Sequence, residues 1–327
     1  MSFVVLLRLR RRWKTRTWRL RTVHLLLSLW MLLAVLTGFE LYFALIYDET
    51  DSFNMTNVSK KWFDRHVAGH EQTLEFGDGQ GVRYRDDRPF PEEIEPDGHH
   101  VLFVGDSFAF GHGVPDVSDR FSNRVRAELE RSHPGEFVVS NLANAGTDLH
   151  WVEALLMALF QNGHEIDTVV YAMCLNDIET FHPRHRTYYQ GFGGPGPSLW
   201  LFRETYFFNL MYFRVMQFTR PEVRGYYDFV REYYEGEPWQ RMRQTLDEVN
   251  RLCENHGAEL RIVVFPFLHN LGPDYEFHTA HEQIVAYGRE ADVPVLDLEP
   301  VLSPHVEEGL TVNRFDAHPN ERAHALA

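Results

Sequence analysis

The chain has 327 residues, 44% hydrophobic and 24% charged, which is enough apolar content for a packed core and excludes a disordered chain. Its net charge is −15, yet eight basic residues and no acidic one lie within positions 1–21, so the rest is more acidic than the total suggests. That acidic body excludes a nucleic-acid partner, because phosphates need a basic surface.

Residues 1–22 read as a basic cytoplasmic segment. Positions 23–47, VHLLLSLWMLLAVLTGFELYFALIY, are interrupted only by His24 and Glu40. Their length suits a transmembrane anchor, since a membrane-spanning helix takes about 20 mostly apolar residues. The positive charges ahead of it place the N-terminus in the cytoplasm and the following domain on the periplasmic or extracellular side. A cleaved signal peptide is the competing reading; it calls for a shorter apolar run and a small-x-small site, which LYFALIYDET lacks. The triplets at Asn54 and Asn57 match glycosylation acceptors and matter only in a glycosylating host.

Residues 48–97 read as a polar lead-in, broken by Gly77, Gly79, Gly81, Pro89 and Pro91. From residue 98 the rhythm changes. HHVLFVGDS is an apolar run entering a turn, which predicts a buried strand. SDRFSNRVRAELERSHPG predicts a helix that Pro134-Gly135 stops. FVVSNLAN reads as a strand, DLHWVEALLMALFQNG as a helix capped by Asp148, and DTVVYAM as a third strand. PWQRMRQTLDEVNRLCENHG then predicts a helix, LRIVVFPF a strand, positions 276–290 a helix and VPVLDL a strand. Apolar strands alternating with amphipathic helices predict one α/β domain over 98–327, with a mostly parallel sheet covered on both faces. Cys174, ending a predicted strand, and Cys253, on a predicted helix, read as buried free thiols.

Residues 180–236 interrupt this alternation with 17 aromatics between positions 181 and 234 and a GFGGPGP loop at 191–197. Ordinary connections are much shorter. The insertion reads as a lid, an acyl-chain groove or a surface resting on the bilayer, or else as a helical insertion that simply packs on the domain.

Four short blocks follow predicted strands at the edge where open α/β sheets bind ligands. Ser107 ends VLFVGDS among glycines that permit a tight turn, which suits a nucleophile. A serine needs a base, and a base is best held by a carboxylate. Phe315-Asp-Ala-His-Pro-Asn320 offers Asp316 and His318, with His318 expected on a loop and Pro319 in the first turn of a helix. Acyl transfer also needs donors aimed at an oxyanion. Gly146 in NLANAGTD offers an unshielded N–H, and Asn176 in YAMCLNDI a side-chain amide.

In order, spacing and strand-end setting these blocks resemble the SGNH (GDSL-like) hydrolase family of the membrane-anchored bacterial type. The resemblance spans about residues 98–327 and implies a flavodoxin-like three-layer α/β/α fold with a mostly parallel five-stranded sheet. It implies Ser107 as nucleophile, Asp316 and His318 as acid and base, and Ser107, Gly146 and Asn176 as oxyanion donors. No metal and no organic cofactor are implied. Two departures stand out. The third block reads Cys174-Leu175-Asn176-Asp177 where the family has Gly-x-Asn-Asp, and Asp316 and His318 are two apart instead of three. The short spacing leaves open a dyad with His318 oriented by a carbonyl, or Asp297 as the acid. The sequence ends at Ala327, early in an expected final helix, as a truncated chain would.

The function so implied is ester hydrolysis through an acyl-enzyme, on an O-acylated, and by expectation acetylated, cell-surface glycan or lipid outside the cytoplasm. An O-acyltransferase using the same triad is the alternative. A catalytically idle module that binds an acylated polymer or an envelope protein partner is the reading from another class.

Overall fold

The computed structural model describes residues 17–52, 54–77, 79–91, 98–183, 196–221 and 225–327, besides three isolated positions near the N-terminus. Most of the basic segment and residues 191–195 of the glycine-rich loop therefore lie outside the described residues.

The chain begins with α1 (Thr17–Leu45), uncapped by charge at either end and long and apolar enough over Leu20–Leu45 to cross a membrane. The lead-in is not a plain spacer. It folds into α2 (Asn57–His66), capped by the Thr56 hydroxyl, and an antiparallel hairpin of β1 (Glu71–Glu75) and β2 (Gly81–Arg85). Its glycines break long elements but permit this hairpin, and Trp62 and Tyr84 join the main core.

Then comes β3 (His99–Gly105), followed by the single turn α3 (Ser107–Phe110), α4 (Phe121–Ser132) and β4 (Phe137–Asn141). Next are α5 (Leu149–Gln161), with the Asp148 carboxylate accepting from the Trp151 N–H at 3.0 Å, and β5 (Thr168–Cys174). The insertion contributes α6 (Trp200–Glu204), α7 (Phe207–Thr219) and α8 (Tyr226–Tyr234). The domain resumes with α9 (Glu237–Asn255), β6 (Glu259–Phe265), α10 (His278–Ala291), β7 (Val295–Asp297) and α11 (Glu299–Leu302). It closes with the short hairpin of β8 (Thr311–Asn313) and β9 (Asp316–Pro319) and with α12 (Glu321–Leu326).

The five strands lie in the order β4-β3-β5-β6-β7, all parallel. Counted within the sheet this is 2-1-3-4-5, the flavodoxin-like order, whose switch point falls between β3 and β5. Right-handed crossovers running both ways from β3 place helices on both faces. On one, α5, α9 and α10 adjoin through contacts such as Trp239 against Tyr287; on the other, α4 meets α12, where the Phe121 N–H donates to His324. All seven residues of β5 are buried, as expected of a strand covered on both sides. Helix α5 buries Leu149, Val152, Leu155, Leu156, Leu159 and Phe160, each worth roughly 1.5–3 kcal/mol when fully removed from water. Cys174 and Cys253 are both free and buried.

Gly105 shows why β3 ends as it does. Its φ is +153°, and a Cβ there would lie 2.5 Å from the Ala172 carbonyl oxygen of β5. Only glycine lets the backbone turn this close to its neighbour. At the C-terminus the expected loop is replaced: His318 and Pro319 lie in β9, and the helix starts after Asn320, whose side chain caps Arg322 and Ala323. Pairing with β8 and the Asn320 cap together delay the helix by two residues.

Candidate active site

Ser107 is the first residue of α3, set there by Asp106, whose carboxylate accepts from the Phe108 N–H at 2.8 Å. Burial pushes the Asp106 carboxyl up to about 6. The Ser107 hydroxyl lies 2.8 Å from His318 Nε2. On the other side of the ring, His318 Nδ1 donates to Asp316 Oδ1 at 2.5 Å, and the His318 backbone N–H reaches the same oxygen at 3.1 Å. Of the sequence-predicted residues, Asp316, His318 and Ser107 thus form one unbroken hydrogen-bonded chain. Asp297 is elsewhere: it accepts from His281 Nδ1 at 2.7 Å and from the Glu299 N–H at 2.9 Å.

Gly146 and Asn176 line the same cleft as Ser107 and His318, a cavity of about 1210 Å³ at the carboxyl edge of the sheet. Gly146 has φ +79° and an open space where a Cβ would stand. Its turn is fixed by Gly105 O, which accepts from the Asn144 N–H at 3.1 Å and from the Thr147 hydroxyl at 3.1 Å. Asn176 sits in the 3₁₀ turn Leu175–Phe181 after β5. There the buried Asp177 carboxyl, raised well above the usual carboxylate range by burial, accepts from the Tyr171 hydroxyl at 2.6 Å and the Cys174 N–H at 3.2 Å and so holds the turn. Tyr234 of the insertion donates to Leu175 O at 2.9 Å and pins the turn from outside. Among the described residues the buried Asn176 Oδ1 has no hydrogen-bond partner, the kind of unsatisfied atom that collects at functional sites.

Three further residues complete the site, and sequence reasoning missed them. Thr50 donates to Asp316 Oδ2 at 2.5 Å across 266 positions of chain, which no local pattern announces. His112 stacks on His318, with ring centroids 4.0 Å apart, and its Nε2 lies 3.1 Å from Asp51 O and 3.3 Å from Asp316 Oδ2. The signal for His112 was its setting between two glycines five residues after Ser107. Arg85 of β2 donates to the carbonyls of Gly111, Val114 and Pro115, holding the loop that carries His112.

The electrostatics follow from this packing. Burial works against ionising Asp316, but the charges and hydrogen bonds of His318 and His112 hold it well below the usual carboxylate range. Burial also lowers His318, with His112 pushing the same way and Asp316 opposing. For His112, burial is outweighed by Asp316 and Asp51, so its pKa is raised. The net state at neutral pH is a neutral His318 imidazole beside an ionised Asp316 carboxylate.

His112, Asp316 and His318 bring ligand-type atoms within 4.8 Å of one another, as do His281, Asp297 and Glu299. Both ring nitrogens of His318 are engaged by Asp316 and Ser107, so the chain already uses the atoms a cation would take.

Residues 103–326 match the family model described as GDSL-like Lipase/Acylhydrolase. No curated protein matches the chain. Among solved structures, TesA is similar at 16% identity with a TM-score of 0.42, covering 69% of this chain and 92% of its own. A member of the lipolytic G-D-S-L family from Veillonella parvula aligns at 14% identity and TM-score 0.42, over 70% of this chain and 93% of that one. A variant acetyl xylan esterase from Geobacillus stearothermophilus aligns at 12% identity and TM-score 0.42, over 70% and 91%.

Proposed function

The chain belongs to the GDSL-like lipase/acylhydrolase family, and on that premise we propose that it hydrolyses esters through an acyl-enzyme formed on Ser107. The observation that carries this reading is the run of contacts from Asp316 through His318 to Ser107, at 2.5 and 2.8 Å, opening on the cleft.

In this mechanism His318, neutral at working pH, takes the Ser107 proton as Oγ attacks the ester carbonyl. Asp316 stabilises the imidazolium and keeps Nδ1 as the donor, and Thr50 and His112 hold Asp316 in turn. The backbone N–H groups of Ser107 and Gly146 and the Asn176 amide receive the oxyanion; the Gly146 N–H has no acceptor among the described residues, so it is free to do so. His318 then protonates the leaving alcohol, and water repeats the sequence on the acyl-enzyme.

Helix α1 serves as a retained anchor with residues 1–22 in the cytoplasm and the domain outside it. The supporting features are the mostly apolar 26-residue stretch Leu20–Leu45, of which little is buried, and the basic residues near its start. An anchored esterase outside the cytoplasm has O-acylated surface glycans or lipids within reach, and these are the proposed substrates.

The test is fluorophosphonate labelling of the full chain in detergent, wild type beside Ser107→Ala and His318→Ala. Labelling of wild type that is lost in both variants is expected. A folded wild type that takes no label would overturn the mechanism and leave the fold serving as a binding module.

A further inference from the structure

On α7, Met211, Val215 and Phe218 are apolar yet 38%, 60% and 68% exposed. Their spacing of four and three puts them on one face of the helix. The other face is packed, with Asn209, Leu210, Phe213 and Arg214 buried. Phe218 also lines the catalytic cleft, and Trp200 on the neighbouring α6 is 63% exposed. An apolar stripe leading to a cleft marks a surface that meets something other than water.

What it meets follows from how α7 is attached. Its N-terminus is capped by Glu40 of α1, whose carboxylate accepts from the Tyr206 N–H at 2.7 Å and the Phe207 N–H at 2.9 Å. The positive end of α7 thus stabilises an acid that an apolar helix could not otherwise carry cheaply. Phe207 stacks on Phe39 at 5.1 Å and on Phe43 at 5.9 Å. The anchor begins at Val23, just after Arg21. About 20 residues fill the hydrocarbon core, so α1 emerges near Phe43 and Glu40 falls within about a turn of that exit. Helix α7 therefore starts close to headgroup level, where tryptophan and tyrosine collect. Lys61 of α2 fixes this arrangement a second time, donating to Phe43 O at 2.7 Å and Tyr47 O at 2.5 Å at the end of α1.

We propose that the exposed face of α6 and α7 lies in the membrane leaflet that α1 leaves, and that the cleft takes its ester from that surface. The substrate is then a lipid, or a molecule held on a lipid, presented past Phe218. The inference rests on α1 being retained as an anchor and on the cleft being the ester site.

The docking is read without activity. The full chain carrying Val215→Cys is labelled with an environment-sensitive fluorophore, Cys174 and Cys253 being buried, and placed in phosphatidylcholine nanodiscs. A second protein carries the label at Glu136→Cys, exposed at the opposite, amino edge of the sheet. Lipids bearing a nitroxide just beneath the headgroup should quench the label at 215 at least about twofold and leave that at 136 unchanged, as expected for an interfacial helix. Equal quenching at the two positions, or strong quenching of the label at 215 by aqueous iodide, would overturn the proposal.

The consequence for substrate is read by the double variant Met211→Glu, Val215→Glu. It should lose about tenfold of its turnover of an ester held in vesicles, since interfacial binding follows buried apolar area, while soluble p-nitrophenyl acetate is cleaved as before. Equal loss on both esters would refute delivery from the membrane. Failure of fluorophosphonate labelling together with lipid quenching at 215 would sink the catalytic reading alone.

Discussion

Replacing His112 by Gln tests whether the stacked ring tunes the base. The two imidazoles lie 4.0 Å apart and share Asp316, which faces both, while Asp51 offers His112 its carbonyl. Unit charges at that separation interact by about 4 kcal/mol at an effective dielectric near 20, an upper limit of roughly 3 pKa units. Local relaxation and solvent reduce this, and His112 is not fully protonated throughout the titration, so about one unit is expected to survive. The sign is fixed: a positive His112 lowers His318, so removing it raises His318. Only neutral His318 can take the serine proton. The second-order rate of fluorophosphonate labelling should therefore rise with pH along an acid limb that lies below the ordinary histidine value in wild type. In His112→Gln that limb should move up by about one pH unit, toward or past the ordinary value near 6.5. A limb that stays in place, or moves to lower pH, would refute the coupling.

Two other outcomes separate the groups around the site. Asp316→Asn should slow labelling by about 10³–10⁴-fold, because the wrong imidazole tautomer then faces Ser107, while Asp297→Asn should leave it within about threefold. Away from the chemistry, His324 is pushed down to about 3 by burial and stays neutral in the fold, its Nδ1 accepting from the Phe121 N–H at 3.2 Å. The unfolded chain binds that proton near pH 6.5, so stability is full above this value and falls as pH drops toward 3; His324→Asn should flatten chemical-denaturation stability across that window.

The sheet was legible because each of its strands is a local event. HHVLFVG and DTVVYAM are continuous apolar runs, and a strand covered on both faces must be one. Helix α5 was legible for the same reason, as its buried positions recur at helical spacing after an aspartate that caps it. Ser107, Gly146 and Asn176 could be placed together at the carboxyl edge because strand ends and the residues after them are adjacent in sequence. Thr50, His112 and Arg85 escaped because their partners are distant: Thr50 meets Asp316 only after 266 positions of chain have folded between them. The lead-in reads as polar and glycine-broken, and nothing in that composition separates a spacer from a hairpin that clamps the loop after Ser107. The insertion was legible as unusual, but its anchoring to α1 depends on Glu40, which in sequence is only a flaw in an apolar run.

The Asp-x-His spacing is legible only once the local structure is known. Two residues look short beside the family's three, and that comparison brought Asp297 and a carbonyl-oriented dyad into consideration. On a strand the argument reverses. Side chains at i and i+2 point to the same face, so two is the spacing that sets Asp316 and His318 side by side. The burial of β9 follows this alternation, with Asp316 and His318 buried and Ala317 between them partly exposed. Residue 317 is in turn held by its N–H donating to the Ser52 hydroxyl at 3.0 Å. The short spacing and the folded lead-in are therefore one feature: β9 is a strand because β8 pairs with it on one side and the segment around Thr50 and Ser52 meets it on the other. Any change that loosens that segment should act on His318 before it acts on the sheet.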